Sequence, residues 1–253
     1  MLNKLTEELA VCGFNAVFTL GKIHPETINR LFLREDRFMS FTKVCKDLAA
    51  RKRPYKVCDD AELERICKSN RHQGVVAMII APTVKSLTRD DLEEWARKGA
   101  TGLVLHSVGN DHNFGAMVRS AAFFGVRRVV IGNAASEAGL TTSAYRVAEG
   151  GMEYVTVKKV SDTTAFLRDA SKKLITIGAD PHGLWRVRDI PVIAREIETK
   201  RGFAVVIGNE ETGLPREVKQ ECLRLVRAPG TGDIESLNAA QAATLLLHEI
   251  FEL

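Results

Sequence analysis

The sequence predicts an α/β protein: a small α/β unit first, then a larger one whose mostly parallel sheet is covered by helices on both faces. Three observations carry this. Short β-branched runs alternate with stretches of helical periodicity along the chain. Several apolar runs stop abruptly at Gly-rich polar loops, as buried parallel strands do where they feed a ligand-facing edge. The 253 residues, 45% hydrophobic and 27% charged, supply a core for one large domain or two ordinary ones, and no apolar run approaches membrane-spanning length.

Taken in order, Gly13-Phe14-Asn15-Ala16-Val17 leads into 25–33, where Ile28, Leu31 and Phe32 recur at helical spacing and predict a helix. A second helix is expected over 41–50, ending in Arg51-Lys52-Arg53-Pro54. Then follow a strand at 55–58, a helix over 60–68 from an Asp cap, and a buried strand at 75–80. This defines a first domain, 1–81. The polar stretch 82–100 reads as a linker carrying a short helix, with Leu92 and Trp95 at helical spacing. The second domain, 101–253, continues with strands at 102–106, 126–131, 154–157, 174–177 and 203–207. Its helices are expected over 113–124, ending at Gly125, and over 162–171.

A net charge of +4 and a pI near 8.8 permit a nucleic-acid partner without arguing for one. Arg51-Lys52-Arg53, with Lys56 and Arg71, reads either as a phosphate-contacting surface or as a solvated helix end. Arg71-His72-Gln73-Gly74 is a binding loop or a turn. The five cysteines, Cys12, Cys45, Cys58, Cys67 and Cys222, form no C-x-x-C pair and suit reduced thiols. Cys58, Cys67 and His72 match no zinc spacing, so no metal is expected. The opening Met1-Leu2-Asn3-Lys4-Leu5-Thr6-Glu7-Glu8 puts charges where a signal peptide needs an apolar core, which predicts a cytoplasmic protein away from membranes.

A dinucleotide-binding fold is the first rival for such a chain. Its G-x-G-x-x-G fingerprint is missing after Leu103-Val104-Leu105, and Gly230-Thr231-Gly232 is followed by Glu235 where the third glycine belongs. There is no G-K-[ST] loop either. Three polar clusters remain at predicted strand ends: Asn113-Phe114-Gly115 with Arg119, Gly208-Asn209-Glu210, and Ser236-Leu237-Asn238. Arg119 borders its helix's apolar stripe, one turn from Gly115, and needs an anion or a local carboxylate. Asn238, with Gln241 three residues on, also reads as the cap of the last helix, whose Leu245, Leu246, Ile250 and Phe251 suit a core or an interface.

These clusters resemble the motifs of the SpoU-type (TrmH-like) RNA ribose 2'-O-methyltransferases of the SPOUT superfamily. The first matches Asn113-Phe114-Gly115-Ala116-Met117-Val118-Arg119-Ser120-Ala121, the second Ile207-Gly208-Asn209-Glu210 with Gly213-Leu214, the third Glu235-Ser236-Leu237-Asn238 with Ala242-Ala243. The first domain resembles, more weakly, a small RNA-binding domain similar to certain ribosomal proteins, through Gly13-Phe14-Asn15-Ala16-Val17 and His72-Gln73-Gly74-Val75-Val76-Ala77. The resemblance implies a trefoil-knotted methyltransferase domain, a homodimer formed through it, and tRNA or rRNA as substrate. S-adenosylmethionine would lie against Ile207, Gly208, Asn209, Ala228 and Leu237. Arg119 would act on the hydroxyl, with Asn113, Glu210, Ser236 and Asn238 ordering the groups around it. The chain departs from the family's usual pattern at Glu211, Ala228, Gly230 and Ala239-Ala240-Gln241, which bears on its grip on the donor. Two rivals stand beside this reading: an RNA-binding or ribosome-associated protein on a methyltransferase scaffold, and an enzyme acting on a small molecule.

Overall fold

The computed structural model describes residues 2–3, 7–132, 138–197 and 201–253, so half of the opening stretch weighed as a leader, residues 1 and 4–6, lies outside the described residues. Its contacts divide the chain into two compact units. One comprises Met1–Thr83 with Gly139–Tyr154, the other Val84–Ala138 with Val155–Leu253.

The first unit is a five-stranded mixed sheet with helices packed on it. Its elements are β1 (Leu2–Asn3), β2 (Glu8–Cys12), α1 (Phe14–Ile23), β3 (Ile28–Leu33), α2 (Phe38–Ala50), β4 (Tyr55–Val57), α3 (Asp60–Cys67) and β5 (Val75–Ile80), with sheet order β1-β2-β5-β3-β4. Strand β3 corrects the helix expected over 25–33. Only Pro25–Thr27 is helical there, as a single 3-10 turn. The register of β3 against β5 shifts between Ile28 and Arg30, so the strand bulges at its start. The bulge sets the buried Ile28 and Leu31 three residues apart, a spacing that imitates a helix. Asp59, rather than Asp60, caps α3 by accepting the Glu62 N–H at 2.8 Å.

The second unit carries an eight-stranded sheet in which every neighbouring pair is parallel. It begins with β6 (Lys85–Ser86), α4 (Arg89–Arg97), β7 (Gly102–Leu105), α5 (Asp111–Phe123) and β8 (Arg128–Ile131). Helix α6 (Thr142–Ala148), which the periodicity does not predict, belongs to the first unit. The second unit resumes with β9 (Thr156–Lys159), α7 (Thr163–Ala170), β10 (Ile175–Ala179), β11 (Trp185–Arg186), α8 (Ile190–Ile197), β12 (Phe203–Ile207), α9 (Arg216–Gln220), β13 (Arg224–Arg227) and α10 (Ala239–Phe251). The order across the sheet is β11-β13-β10-β12-β7-β8-β9-β6.

The stretch read as a linker is structured. Strand β6 pairs with β9, and Leu92 and Trp95 of α4 are buried in the same core as Val104, Val130, Ala204 and Val206. Helices α7 and α9 cover that face with Phe166, Leu167 and Val218. Alternation turns Leu103, Leu105, Val205 and Ile207 to the opposite face, and α10 packs there on β12 and against α5.

Helix α4 is pinned by charge as well as by packing. Thr88 and Asp91 form a reciprocal capping box, and Lys158 Nζ on β9 lies 2.6 Å from Asp91 Oδ2. The Lys158 ammonium holds the Asp91 carboxyl down at about 2. Because the folded value is depressed, this stabilisation is present above about pH 4 and is lost as the pH falls through 2. Asp91→Asn is expected to cost about 1–2 kcal/mol at pH 7, both side chains being partly solvated, with the deficit closing by pH 2. Urea unfolding at the two pH values measures it.

Candidate active site

The central strands β7 and β12 lie side by side in parallel, so the loops after them leave the same edge of the sheet. The loop after β7 opens α5, with Asn110 as cap, its side chain accepting from the N–H groups of His112 and Asn113 at 2.8 and 3.3 Å. The loop after β12 folds back on itself as Asn209 and Gly213 exchange backbone hydrogen bonds of 3.2 and 3.0 Å. Asn209 secures this turn from inside. Its Oδ1 accepts from the N–H groups of Glu211 and Thr212 at 2.9 and 3.1 Å, while its Nδ2 donates to the Ser107 carbonyl at 2.8 Å.

The tightness of that turn explains Gly208. A Cβ built on it would sit 2.4 Å from the carbonyl carbon of Gly213 and 2.6 Å from the Leu214 nitrogen. Both are backbone atoms, so no rotamer change would relieve the contact. Ser107, at the end of β7, has φ +55°, a left-handed conformation unusual for a serine. The hydrogen bond from Asn209 to its carbonyl holds that conformation in place.

Asn113 joins the three clusters. Its Nδ2 donates to Glu210 Oε1 at 2.8 Å, and its Oδ1 accepts from Asn238 Nδ2 at 3.0 Å. Glu210 also faces the N–H groups of Gly109 and Asn110, both at 3.4 Å. Asn238 still caps α10, its Oδ1 accepting the Ala240 N–H at 2.9 Å, so the capping and site readings hold together. Below this network α5 and α10 are joined by Ser120 Oγ and Thr244 Oγ1, 2.7 Å apart.

Of the five polar candidates, these hydrogen bonds join Asn113, Glu210 and Asn238. Arg119 is exposed on α5, and Ser236 and Leu237 are exposed in the loop before α10. Ile207 and Gly208 are buried, and Ala228 is half-buried just beyond β13.

One further loop at this edge is absent from the sequence-based candidates. Strand β10 lies between β12 and β13, and Gly178-Ala179-Asp180-Pro181-His182-Gly183 ends it at the same edge. The strand-then-glycine pattern there is the signal that identifies the other two loops. Asp180 is buried, accepts the His182 N–H at 2.7 Å and pairs with Lys219 at 2.5 Å. Burial pushes its carboxyl up, but the Lys219 ammonium and the His182 N–H outweigh burial and hold it below the usual range. His106 is a second residue that the sequence does not single out. At the end of β7, its Nδ1 is buried without a hydrogen-bond partner, and burial lowers its pKa, favouring neutral imidazole.

The loops after β10 and β13 expose large apolar side chains: Leu184 is 92% exposed, Ile234 82% and Leu237 48%. A Cβ on Gly230 or Gly232 would meet nothing within 4 Å, leaving the backbone of that loop approachable. Apolar side chains with open backbone beside them suit a ligand with an aromatic base and a short charged tail. Among the described residues no group of His, Cys, Asp and Glu is arranged to hold a metal, and no helix is long and apolar enough to cross a membrane.

A family model described as the SpoU rRNA Methylase family matches residues 100–248, and one described as RNA 2'-O ribose methyltransferase substrate binding matches 10–84. Among curated relatives, the 23S rRNA (guanosine-2'-O-)-methyltransferase RlmB of Nitrosomonas europaea is 30% identical, over 98% of this chain and 92% of its own length. The uncharacterized tRNA/rRNA methyltransferase YfiF of Escherichia coli O157:H7 is 31% identical, over 96% of this chain and 68% of its own. Among solved structures, the SpoU methyltransferase AviRb from Streptomyces viridochromogenes, in complex with AdoMet, superposes with a TM-score of 0.73 at 22% identity, covering 97% of this chain and 90% of that one. An AdoMet-bound rRNA methyltransferase from Sinorhizobium meliloti gives a TM-score of 0.74 at 20% identity, covering 97% and 87%. At these identities the structures speak to the fold.

Proposed function

The chain belongs to the SpoU rRNA methylase family, and from that membership we propose that its joined loops transfer a methyl group from S-adenosylmethionine to a ribose 2'-hydroxyl of ribosomal RNA. One observation carries the assignment of the site: the Asn113 side chain bonds Glu210 of the second cluster on one side and Asn238 of the third on the other. Three segments distant in sequence thereby share one rigid polar centre at the ligand-facing edge of the sheet.

Bound S-adenosylmethionine supplies an electrophilic methyl group on a cationic sulfur. Ile207, Gly208 and Asn209 would hold it from one turn, and Ala228 and Leu237 from the loop after β13, where backbone carbonyls suit a positive charge and apolar side chains suit an adenine. Asn113, Glu210, Ser236 and Asn238 order the ribose, its phosphate and the Arg119 guanidinium. A guanidinium keeps its proton in proteins and is a poor general base. Arg119 therefore stabilises the developing alkoxide or fixes the neighbouring phosphate, and the hydroxyl proton leaves to phosphate or water. Arg119→Lys is expected to lower kcat roughly tenfold or more, because a point charge replaces a bidentate fork. A Lys variant with the parent rate and pH profile would remove that role.

Ribosomal RNA is favoured by the relative from Nitrosomonas europaea, whose name specifies a guanosine ribose of 23S rRNA. Such a substrate supports a cytoplasmic location, and the substrate-binding match over 10–84 supports RNA contact by the first unit. Mapping 2'-O-methylation across total RNA from cells with and without the chain tests the assignment directly; an unchanged map of rRNA and tRNA would end it.

Two further features belong to the same reading. The order β13-β10-β12-β7 requires the tail to cross the sheet before α10 returns to β12, and it supports a trefoil threading of the last segment. A homodimer is supported by an aromatic patch where α5 and α10 end, in which Phe124 contacts Phe123 and Phe251 and those two remain 81% and 62% exposed. Phe123→Glu should yield a monomer by analytical ultracentrifugation where the parent sediments as a dimer.

A further inference from the structure

The first unit carries a cleft of about 320 Å³ that the methyl-transfer chemistry does not use. It lies where the loop before β5 meets the residues that follow β3, and Arg34, Arg37, Asp60, His72 and Gln73 line it. The loop is built rather than slack. Gln73 and Gly74 are consecutive residues with positive φ, +54° and +82°. His72 is buried, and its Nδ1 accepts the Gly74 N–H at 3.1 Å. Gln73 Oε1 accepts the Phe14 N–H at 2.7 Å, at the first residue of α1. A Cβ on Gly74 would come within 3.0 Å of both Arg34 and Arg37, so glycine is what lets the two arginines close on the loop. A left-handed Gln beside a buried His is an expensive way to make a turn, and such strain collects where a ligand is met.

Beside this loop lies a stack of planar groups. The Arg37 guanidinium sits over the Phe14 ring at 5.4 Å, and Phe14 is stacked on Phe18 at 5.7 Å with 9° between the rings. Phe41 braces both rings edge-on. Arg37 Nε donates to the Gln73 carbonyl at 3.2 Å, which fixes the plane of the guanidinium. About a third of the Arg37 side chain, 34%, stays exposed, and Phe18 is 42% exposed.

Charge decides what kind of ligand fits. Arg34 is held by Asp36 at 2.8 Å and Asp60 at 3.1 Å, Arg37 lies 3.6 Å from Asp36, and Glu64 also borders the cleft. The carboxylates offset the two arginines, so the cleft has no surplus positive charge for a phosphate. What it offers is a flat cation to stack on, with carboxylate and carbonyl acceptors at the side. Those are the requirements of a neutral, planar group bearing N–H donors, and unpaired RNA bases are recognised by stacking on guanidinium planes and by hydrogen bonds to their edges. We propose that this cleft holds one unpaired base of the RNA, stacked against Arg37 with its donor edge toward Asp60 and Glu64, an inference that rests on RNA being the substrate.

The test uses the full chain and two labelled RNA probes, a single-stranded hexanucleotide of mixed sequence and a blunt duplex containing it, read by fluorescence anisotropy over a range of salt. Stacking on one base is worth about 1–3 kcal/mol. Arg37→Ala should therefore weaken the single strand roughly 5- to 150-fold, and Arg37→Lys, which keeps the charge but not the plane, should fall in the same range. The slope of log affinity against log salt should stay unchanged, because no phosphate contact is lost. Thermal melts of both variants check that the unit is folded. Parent-like affinity in Arg37→Ala, full affinity in Arg37→Lys, a salt slope reduced by about one, or an equal loss on the duplex would each overturn the proposal, as would a parent that binds no single strand. Methylation of ribosomal RNA by the parent chain, assayed separately, reports on the enzymatic reading, so failure of one is not mistaken for failure of the other.

Discussion

Asn113→Ala is expected to lower the rate of methyl transfer by roughly 10²–10³ at saturating RNA and donor, while the chain stays folded and donor affinity changes only a few-fold. The reasoning begins from the two hydrogen bonds that Asn113 makes, to Glu210 at 2.8 Å and to Asn238 at 3.0 Å. Truncation leaves the Glu210 carboxylate without its shortest donor and frees the Asn238 amide, so two of the groups that order the substrate lose their reference point together. A misplacement of about 1 Å at a reacting centre is enough to cost two orders of magnitude. Two companion variants separate this from a general loss of packing. Asn113→Asp puts a second carboxylate against Glu210 and should be at least as damaging. Glu210→Gln keeps an acceptor oxygen for the Asn113 amide and should recover most of the rate. Single-turnover methylation of rRNA measures all three, and an Asn113→Ala chain that keeps more than half the parent rate would dissolve the proposed centre.

What can be read from the sequence, and what cannot, divides along a physical line. The strand ends at Leu105 and Ile207 are legible because an apolar run that gives way to polar sequence bearing Asn and Gly is what a buried strand feeding a loop produces. The joined residues Asn113, Glu210 and Asn238 are among those the motifs single out. Their joining is not legible, since Asn113 and Asn238 are 125 positions apart and only the sheet order brings them together. The positive φ of Ser107 leaves no trace in residue type, because a tertiary hydrogen bond maintains it. Strand β3 misleads for the opposite reason: a local pattern is present, but a bulge gives it the period of a helix. The grouping of Gly139–Tyr154 with the first unit, and helix α6 within it, is a long-range result that no window of the sequence contains.

Gly208 allows the sharpest separation between the turn's geometry and its composition. Gly208→Ala is expected to destabilise the chain by about 2–4 kcal/mol and to weaken S-adenosylmethionine binding by two orders of magnitude or more. The added methyl would meet the backbone of Gly213 and Leu214 at 2.4–2.6 Å, and backbone cannot rotate away as a side-chain end would. Relief requires the turn to open, which breaks the paired bonds between Asn209 and Gly213 at 3.2 and 3.0 Å, worth about 1 kcal/mol each. Opening also pulls Asn209 from the Ser107 carbonyl and Glu210 from Asn113, so damage to the donor side spreads to the catalytic network. Gly230→Ala is the matched control. It adds the same methyl to the other glycine-bearing loop, where nothing lies within 4 Å, and should change stability by less than about 0.5 kcal/mol. Urea unfolding and donor calorimetry on the pair distinguish a turn that must be closed from one that is merely rich in glycine. Equal behaviour of the two variants would mean that the closed turn after β12 contributes neither to the fold nor to holding the donor.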